Sequence, residues 1–235
     1  MADEKRIGRW AGLVYLIVVV TGFFSLGHVP GQLAAPGNPQ AALDNIVSHE
    51  TLFRMGIAAF VVEQVAFLVL PLLLFRLFAT VNRHLAVAMV ALAVIGVPIA
   101  LVGVAHRLDA LLLLTDAGSL PVDMARAMAW LSLKSYGHDI FVASVFWGSW
   151  LLPFGYLAVS SGKLPRILGA LLILGGTGYL TDIFGELLLP GYAGMAFSNY
   201  VHLPAAFGEV GTCLWLLFMG VRTTGGEQHS TGNAT

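Results

Sequence analysis

Long apolar runs, separated by short polar clusters, dominate the chain. Six of them approach or exceed the roughly 20 residues that carry a helix across a hydrocarbon core: about 10–28, 53–79, 85–110, 137–159, 165–189 and 201–221. Two shorter stretches have mixed polar and apolar faces. Asn38-Pro39 is a cap and first-turn pair for one of them, Gln40–Glu50, and Pro121 opens the other, Val122–Ser135. Val81–His84 and Ser160–Leu164 are tight links, which make the helices they join antiparallel neighbours. The pattern predicts an all-α fold: a polytopic membrane helical bundle of six transmembrane helices with two outer amphipathic helices. Residues 1–9 read as a terminal tail, 10–222 as the membrane domain, and 223–235, rich in Gly, Thr and Ser, as a disordered tail.

Composition agrees and narrows the partners. Hydrophobic residues make up 57% of the chain and charged ones 11%, with a mean hydropathy of +0.83, far from ordinary soluble composition. The partner this implies is a lipid bilayer. A net charge of −1 with no basic stripe argues against nucleic acid. Cys213 is the one cysteine, so no intramolecular disulfide forms. The basic start, Met1–Arg9, runs into an apolar stretch followed by further spans, which reads as a retained signal-anchor. Lys5, Arg6, Arg9, Arg76, Arg83, Lys163, Arg166 and Arg222 fall on one side of the spans; Arg54, Arg107, Arg126 and Lys134 fall on the other. This asymmetry places both termini in the cytoplasm of a cell whose inner membrane holds the protein.

Ionisable groups inside the apolar runs are the candidate chemistry, because a mid-bilayer Asp costs roughly 2.5 to 3.5 kcal/mol even on the gentler scales. Counting from the outer span ends at 1.5 Å per residue puts Glu63 about 13 Å deep, and Asp182 and Glu209 about 10 Å deep. Nearer the surface stand His106 with Asp109, His138 with Asp139, and Glu186 with His202. Asp182 and Glu186 share a helix face, and Arg54 or Arg107 is in range to pair with one of them. The three-residue spacing of His106 and Asp109 lets that carboxylate orient the imidazole. Glu63 and Glu209 have no basic residue within two turns in their own spans. Gly175, Gly178, Asp182 and Gly185 share one face, so close helix approach there turns Asp182 into the bundle. The first span has no Asp, Glu, Lys or Arg between Arg9 and Asp44 and reads as peripheral. Trp10, Trp147, Trp150 and Trp215 read as interface or packing aromatics.

Several segments carry a resemblance. Lys163-Leu164-Pro165-Arg166-Ile167-Leu168-Gly169 followed by Gly178-Tyr179-Leu180 and Asp182, Leu52-Phe53-Arg54 at the second span, and Tyr136-Gly137-His138-Asp139 at the fourth resemble a bacterial integral membrane family catalogued as domain of unknown function 4386. The resemblance covers roughly Arg9 to Arg222. It implies a multi-span inner-membrane protein and brings no activity, cofactor or catalytic residue.

Three functions fit these residues. The first is binding or transport of a small molecule or cation through an outward-facing acidic cavity built from Glu63, Asp182, Glu186, Glu209, Arg54, His138 and Asp139. The second is an intramembrane metal-dependent lipid hydrolase, with His106, His138, His202 and Asp182 as ligands and an open position for an activated water. The third is a structural or accessory membrane protein whose ion pairs hold the helices together. The first ranks ahead, and the cofactor is unassigned.

Overall fold

A cap, a turn or a proline marks the start of most helices. The computed structural model describes residues 2–222, so the expectation for 223–235 lies outside the described residues. Within them the chain is helical with no strand. Helix α1 (Ala2–Gly22) passes through a π-helical segment, Phe23–His28, into α2 (Val29–Leu33). Then come α3 (Pro39–Ser48), α4 (Glu50–Phe78), α5 (Arg83–Thr115), α6 (Val122–Ser161), α7 (Arg166–Leu188) and α8 (Leu203–Met219). The Asn38 side chain accepts from the Ala41 N–H at 3.1 Å, and Asn82 accepts from Leu85 N–H at 3.1 Å. Each satisfies a donor that the first helical turn leaves free. Gly162, at φ 65°, takes the left-handed conformation that ends α6.

Six stretches are long and apolar enough to cross a membrane: Asp3–Leu33, Glu50–Phe78, Arg83–Thr115, Val122–Ser161, Arg166–Leu188 and Ala196–Met219. Three details differ from the sequence expectation. Residues 2–9 are not a tail but the first turns of α1. Val122–Ser135 is helical yet not a separate helix, because α6 runs unbroken for 40 residues. The lone Gly137 weakens a helix by only about 1 kcal/mol. Arg126 also ties the outer part of α6 to α3, bonding Gln40 and Asp44 at 2.7 Å each. Third, the first span is not peripheral.

The helices close a ring. Around it α1 packs on α4, α4 on α5, α5 on α6, α6 on α7, α7 on α8, and α8 back on α1. Glycines set the closest approaches. A Cβ on Gly12 would lie 2.3 Å from the Leu217 backbone nitrogen, and one on Gly178 2.3 Å from the Val201 carbonyl oxygen. With lipid outside and no water to expel, such backbone-to-backbone packing is what holds membrane helices together. The stretch of α1 from Trp10 to Gly22 carries no charged residue, yet close backbone approach seats it in the ring.

One end of the ring gathers both described termini. The buried Lys163 ammonium bonds Glu4 at 2.6 Å and the Leu77 carbonyl at 2.8 Å, while the Arg222 N–H donates to the Lys163 carbonyl at 2.9 Å. Inward from there the ring is filled by Leu70, Leu74, Leu77, Phe78, Phe154 and Leu157, all fully buried. Beyond this plug, toward α3, the interior turns polar.

Candidate functional site

Seen from the plug, the first polar layer is a small, partly open chamber of about 100 Å³ inside the ring. Glu63 of α4 and Glu209 of α8 line it together with Val18, Leu26, Phe67, Trp147, Trp150 and Tyr179. A liquid water occupies about 30 Å³, so the space suits a few waters or one small ligand. The floor is aromatic: Trp150 is 1% exposed and packs on Phe67 and Phe154 with ring centroids 5.1 and 5.3 Å away.

Each carboxyl has one neutral hydroxyl partner. Tyr15, fully buried in α1, donates to Glu209 at 3.1 Å. Ser25, fully buried in the π-helical segment, lies 3.1 Å from Glu63 and 3.3 Å from the Gly22 carbonyl. A single hydroxyl proton serves one of these acceptors at a time. The wider π turn moves Ser25 into this register; such bulges recur at functional positions. Gly22 leaves the needed room, since a Cβ there would sit 3.1 Å from the Glu63 carboxyl oxygen. Among the described residues neither Glu63 nor Glu209 forms an ion pair with Lys, Arg or His. An ionised carboxyl in a low-dielectric cavity without a counter-charge is undercompensated, and a cation between the two would offset that cost.

Of the sequence candidates, only Glu63 and Glu209 line this chamber. Asp182, which the glycine spacing was read as turning into the bundle, binds His202, the residue before α8, at 3.0 Å, with the His202 ring against Tyr179 at 4.6 Å. Tyr179 thus occupies the place on α7 that the depth count gave to Asp182. Glu186 and His138 are exposed. Arg54 does not reach Asp182 or Glu186 but pairs with Glu50, one turn earlier on its own helix, at 2.6 Å. His106 bonds Asp139 of α6 at 2.6 Å, leaving Asp109 exposed. Helix-to-helix pairing won over the three-residue spacing because α5 and α6 face each other closely. Among the described residues no three His, Cys, Asp or Glu side chains gather into a group that would hold a metal. The structure thus does not assemble the set His106, His138, His202 and Asp182.

Farther from the plug lies a larger cleft of about 530 Å³, walled by α2, α3 and the N-terminal parts of α4 and α6, with Arg107 of α5 among its lining residues. Arg107 is 3% exposed and has no carboxylate; its guanidinium lies 4.7 Å from the Phe53 ring centre and 5.1 Å from that of Tyr136. Its Nη1 and the Tyr136 hydroxyl are both buried without a hydrogen-bond partner. Two ring faces offset about 2 kcal/mol each when desolvated. A desolvated cation costs several kcal/mol, and its unmade hydrogen bond adds to that. The charge is therefore undercompensated.

The residues that sequence reasoning missed are Tyr15, Ser25 and Tyr179, uncharged groups with no outlying hydropathy. Ser25 is a polar interruption late in the first span, a weak signal, and only the π turn aims it. Trp147 and Trp150, read as interface or packing aromatics, are chamber walls.

A family model described as a domain of unknown function (DUF4386) matches residues 10–220. An uncharacterised protein of Archaeoglobus fulgidus is 37% identical over 79 residues, 32% of this chain and 43% of that protein. The chain thus spans less than half the length of that relative. No solved structure matches.

Proposed function

Because the chain belongs to the family of domain of unknown function 4386, a membership that assigns no activity, we propose a function from the chamber itself: the protein binds a small ammonium-type cation between Glu63 and Glu209. The observation that carries this is the pairing of two carboxyls without a counter-charge and a wall of Trp147, Trp150, Tyr179 and Phe67. Carboxylates supply charge, and aromatic faces favour a soft organic cation over a strongly hydrated metal ion. The apolar plug on the termini side makes this a site closed at one end, so binding is the step proposed, and passage would need the helices to rearrange. The same reading opens the chamber toward the α3 end and assigns that end to the outside, with the eight-residue basic end in the cytoplasm.

Thermal unfolding in nanodiscs at constant ionic strength tests the site. Methylammonium and tetramethylammonium are expected to raise the melting temperature of the wild type more than Na⁺, K⁺ or Ca²⁺. A ligand at a hundred times its Kd stabilises by about 2.7 kcal/mol. Glu63→Gln and Glu209→Gln keep shape and remove charge, and each is expected to abolish the response. Identical cation responses in wild type and both variants would eliminate the reading. For orientation, a cysteine-free background with Cys213→Ser receives Asp3→Cys, Ser230→Cys or Asp116→Cys. Impermeant maleimide added to intact cells should label only the last; labelling at either terminus reverses the topology.

A further inference from the structure

We propose a second site, distinct from the acidic chamber: the outer cleft binds a monocarboxylate with an aliphatic chain, its carboxylate meeting Arg107 and Tyr136. The guanidinium and the hydroxyl neighbour each other, and no carboxylate reaches either. Arg107 Nη1 and the Tyr136 hydroxyl are both buried and unpartnered, and Arg107, 97% buried, lines the cleft. A carboxylate brings two oxygens and one negative charge, which matches one guanidinium and one hydroxyl. The other cation of the cleft lining, Lys134, stands 5.2 Å over the Trp130 ring, and a phosphate monoester that used both cations is the alternative the decyl phosphate arm tests. Apart from Lys134 and Asn38 the rest of the cleft is apolar, with Val29, Leu33, Ile46 and Leu133 among its walls. At about 530 Å³ it has the size and character of a small-molecule site, an apolar hollow with a few convergent polar groups. The helices that cover it are short: α2 has five residues and α3 ten, joined by a turn through Gly37 at φ 74°. This hairpin packs only lightly against the ring and is the place for an aliphatic chain to enter. Phe53 and Tyr136, which flank the guanidinium, part slightly as the carboxylate arrives.

The test uses the full chain in zwitterionic-lipid nanodiscs and four probes below their micelle-forming concentrations: decanoate, decanol, decyl phosphate and decyltrimethylammonium. Binding is read by Trp fluorescence, with Trp130 in the cleft wall, and by melting temperature. Decanoate is expected to bind at least tenfold more tightly than decanol and decyl phosphate, with decyltrimethylammonium weaker still. Arg107→Met should lose at least tenfold in decanoate affinity, keep decanol affinity, and melt at or above the wild type without ligand, because an uncompensated charge has gone. Ala42→Phe, which fills the cleft away from Arg107, should weaken decanoate and decanol alike and keeps the test decisive if Arg107→Met misfolds. Equal affinity for decanoate and decanol, tighter binding of decyl phosphate, or unchanged decanoate affinity in either variant would overturn the proposal. The methylammonium response of Glu209 is measured on the same preparations, so failure of one site is read separately from failure of the other.

Discussion

Trp150→Ala is expected to give the largest loss of stability of any single core substitution, about 3 kcal/mol, read as a lower melting temperature in nanodiscs. Trp150 is 1% exposed and packs against Tyr15, Phe67 and Phe154 at centroid distances of 6.5, 5.1 and 5.3 Å. In a bilayer the transfer term that dominates soluble cores is largely absent. What is lost is dispersion contact with neighbours that a rigid ring cannot collapse to replace. The same deletion extends the chamber, so the variant should respond to tetraethylammonium where the wild type responds best to the smaller ions. A Trp150→Ala protein that melts with the wild type would mean that the aromatic layer does not hold the ring. A stable variant with unchanged ligand preference would separate the layer from the site.

Gly12→Ala should come next, at roughly 3 kcal/mol, the upper part of the range for overpacking. The added methyl would meet Leu217 N at 2.3 Å, Leu217 Cα at 2.6 Å and the Leu216 carbonyl carbon at 2.7 Å. These are backbone atoms, with no flexible side chain to swing aside, so α1 and α8 must move apart and the ring opens at its closing contact. Because Tyr15 on α1 donates to Glu209 on α8, opening should also weaken the cation response. Gly31→Ala is the control: a Cβ there has nothing within 4 Å, and alanine favours helix by up to about 1 kcal/mol. If Gly12→Ala and Gly31→Ala melt alike, the α1–α8 contact does not have this form.

How much was legible follows from what each feature depends on. Span count, caps at Asn38 and Asn82, and the tight turns depend on neighbours in sequence, and they are visible there. The inward placement of Glu63, buried, and Glu209, half-buried, is legible too, since a carboxyl inside an apolar run has few places to go. Partner choice is not. Arg54 took Glu50 on its own helix and His106 took Asp139 across the helix interface; both outcomes turn on rotation about helix axes, which depth counting ignores. Asp182 and Tyr179, three residues apart on α7, traded the expected places by the same rotation. Arg107 was read as an ion-pair partner, yet aromatic rings of α4 and α6 flank it.

By itself the sequence determined a six-span helical membrane protein with an acidic interior, because twenty apolar residues have one stable solution in a bilayer and a buried carboxylate is costly enough to announce itself. Only the tertiary structure decided that the six helices close a ring, that a charge-free first span supplies Tyr15 and, through a π turn, Ser25 to the two carboxyls, and that an unpaired guanidinium lines a separate apolar cleft. Those outcomes rest on backbone contacts at Gly12 and Gly178 and on sub-turn rotations of whole helices. Such quantities are set by packing between segments far apart in the chain, and no local pattern of polar and apolar residues encodes them.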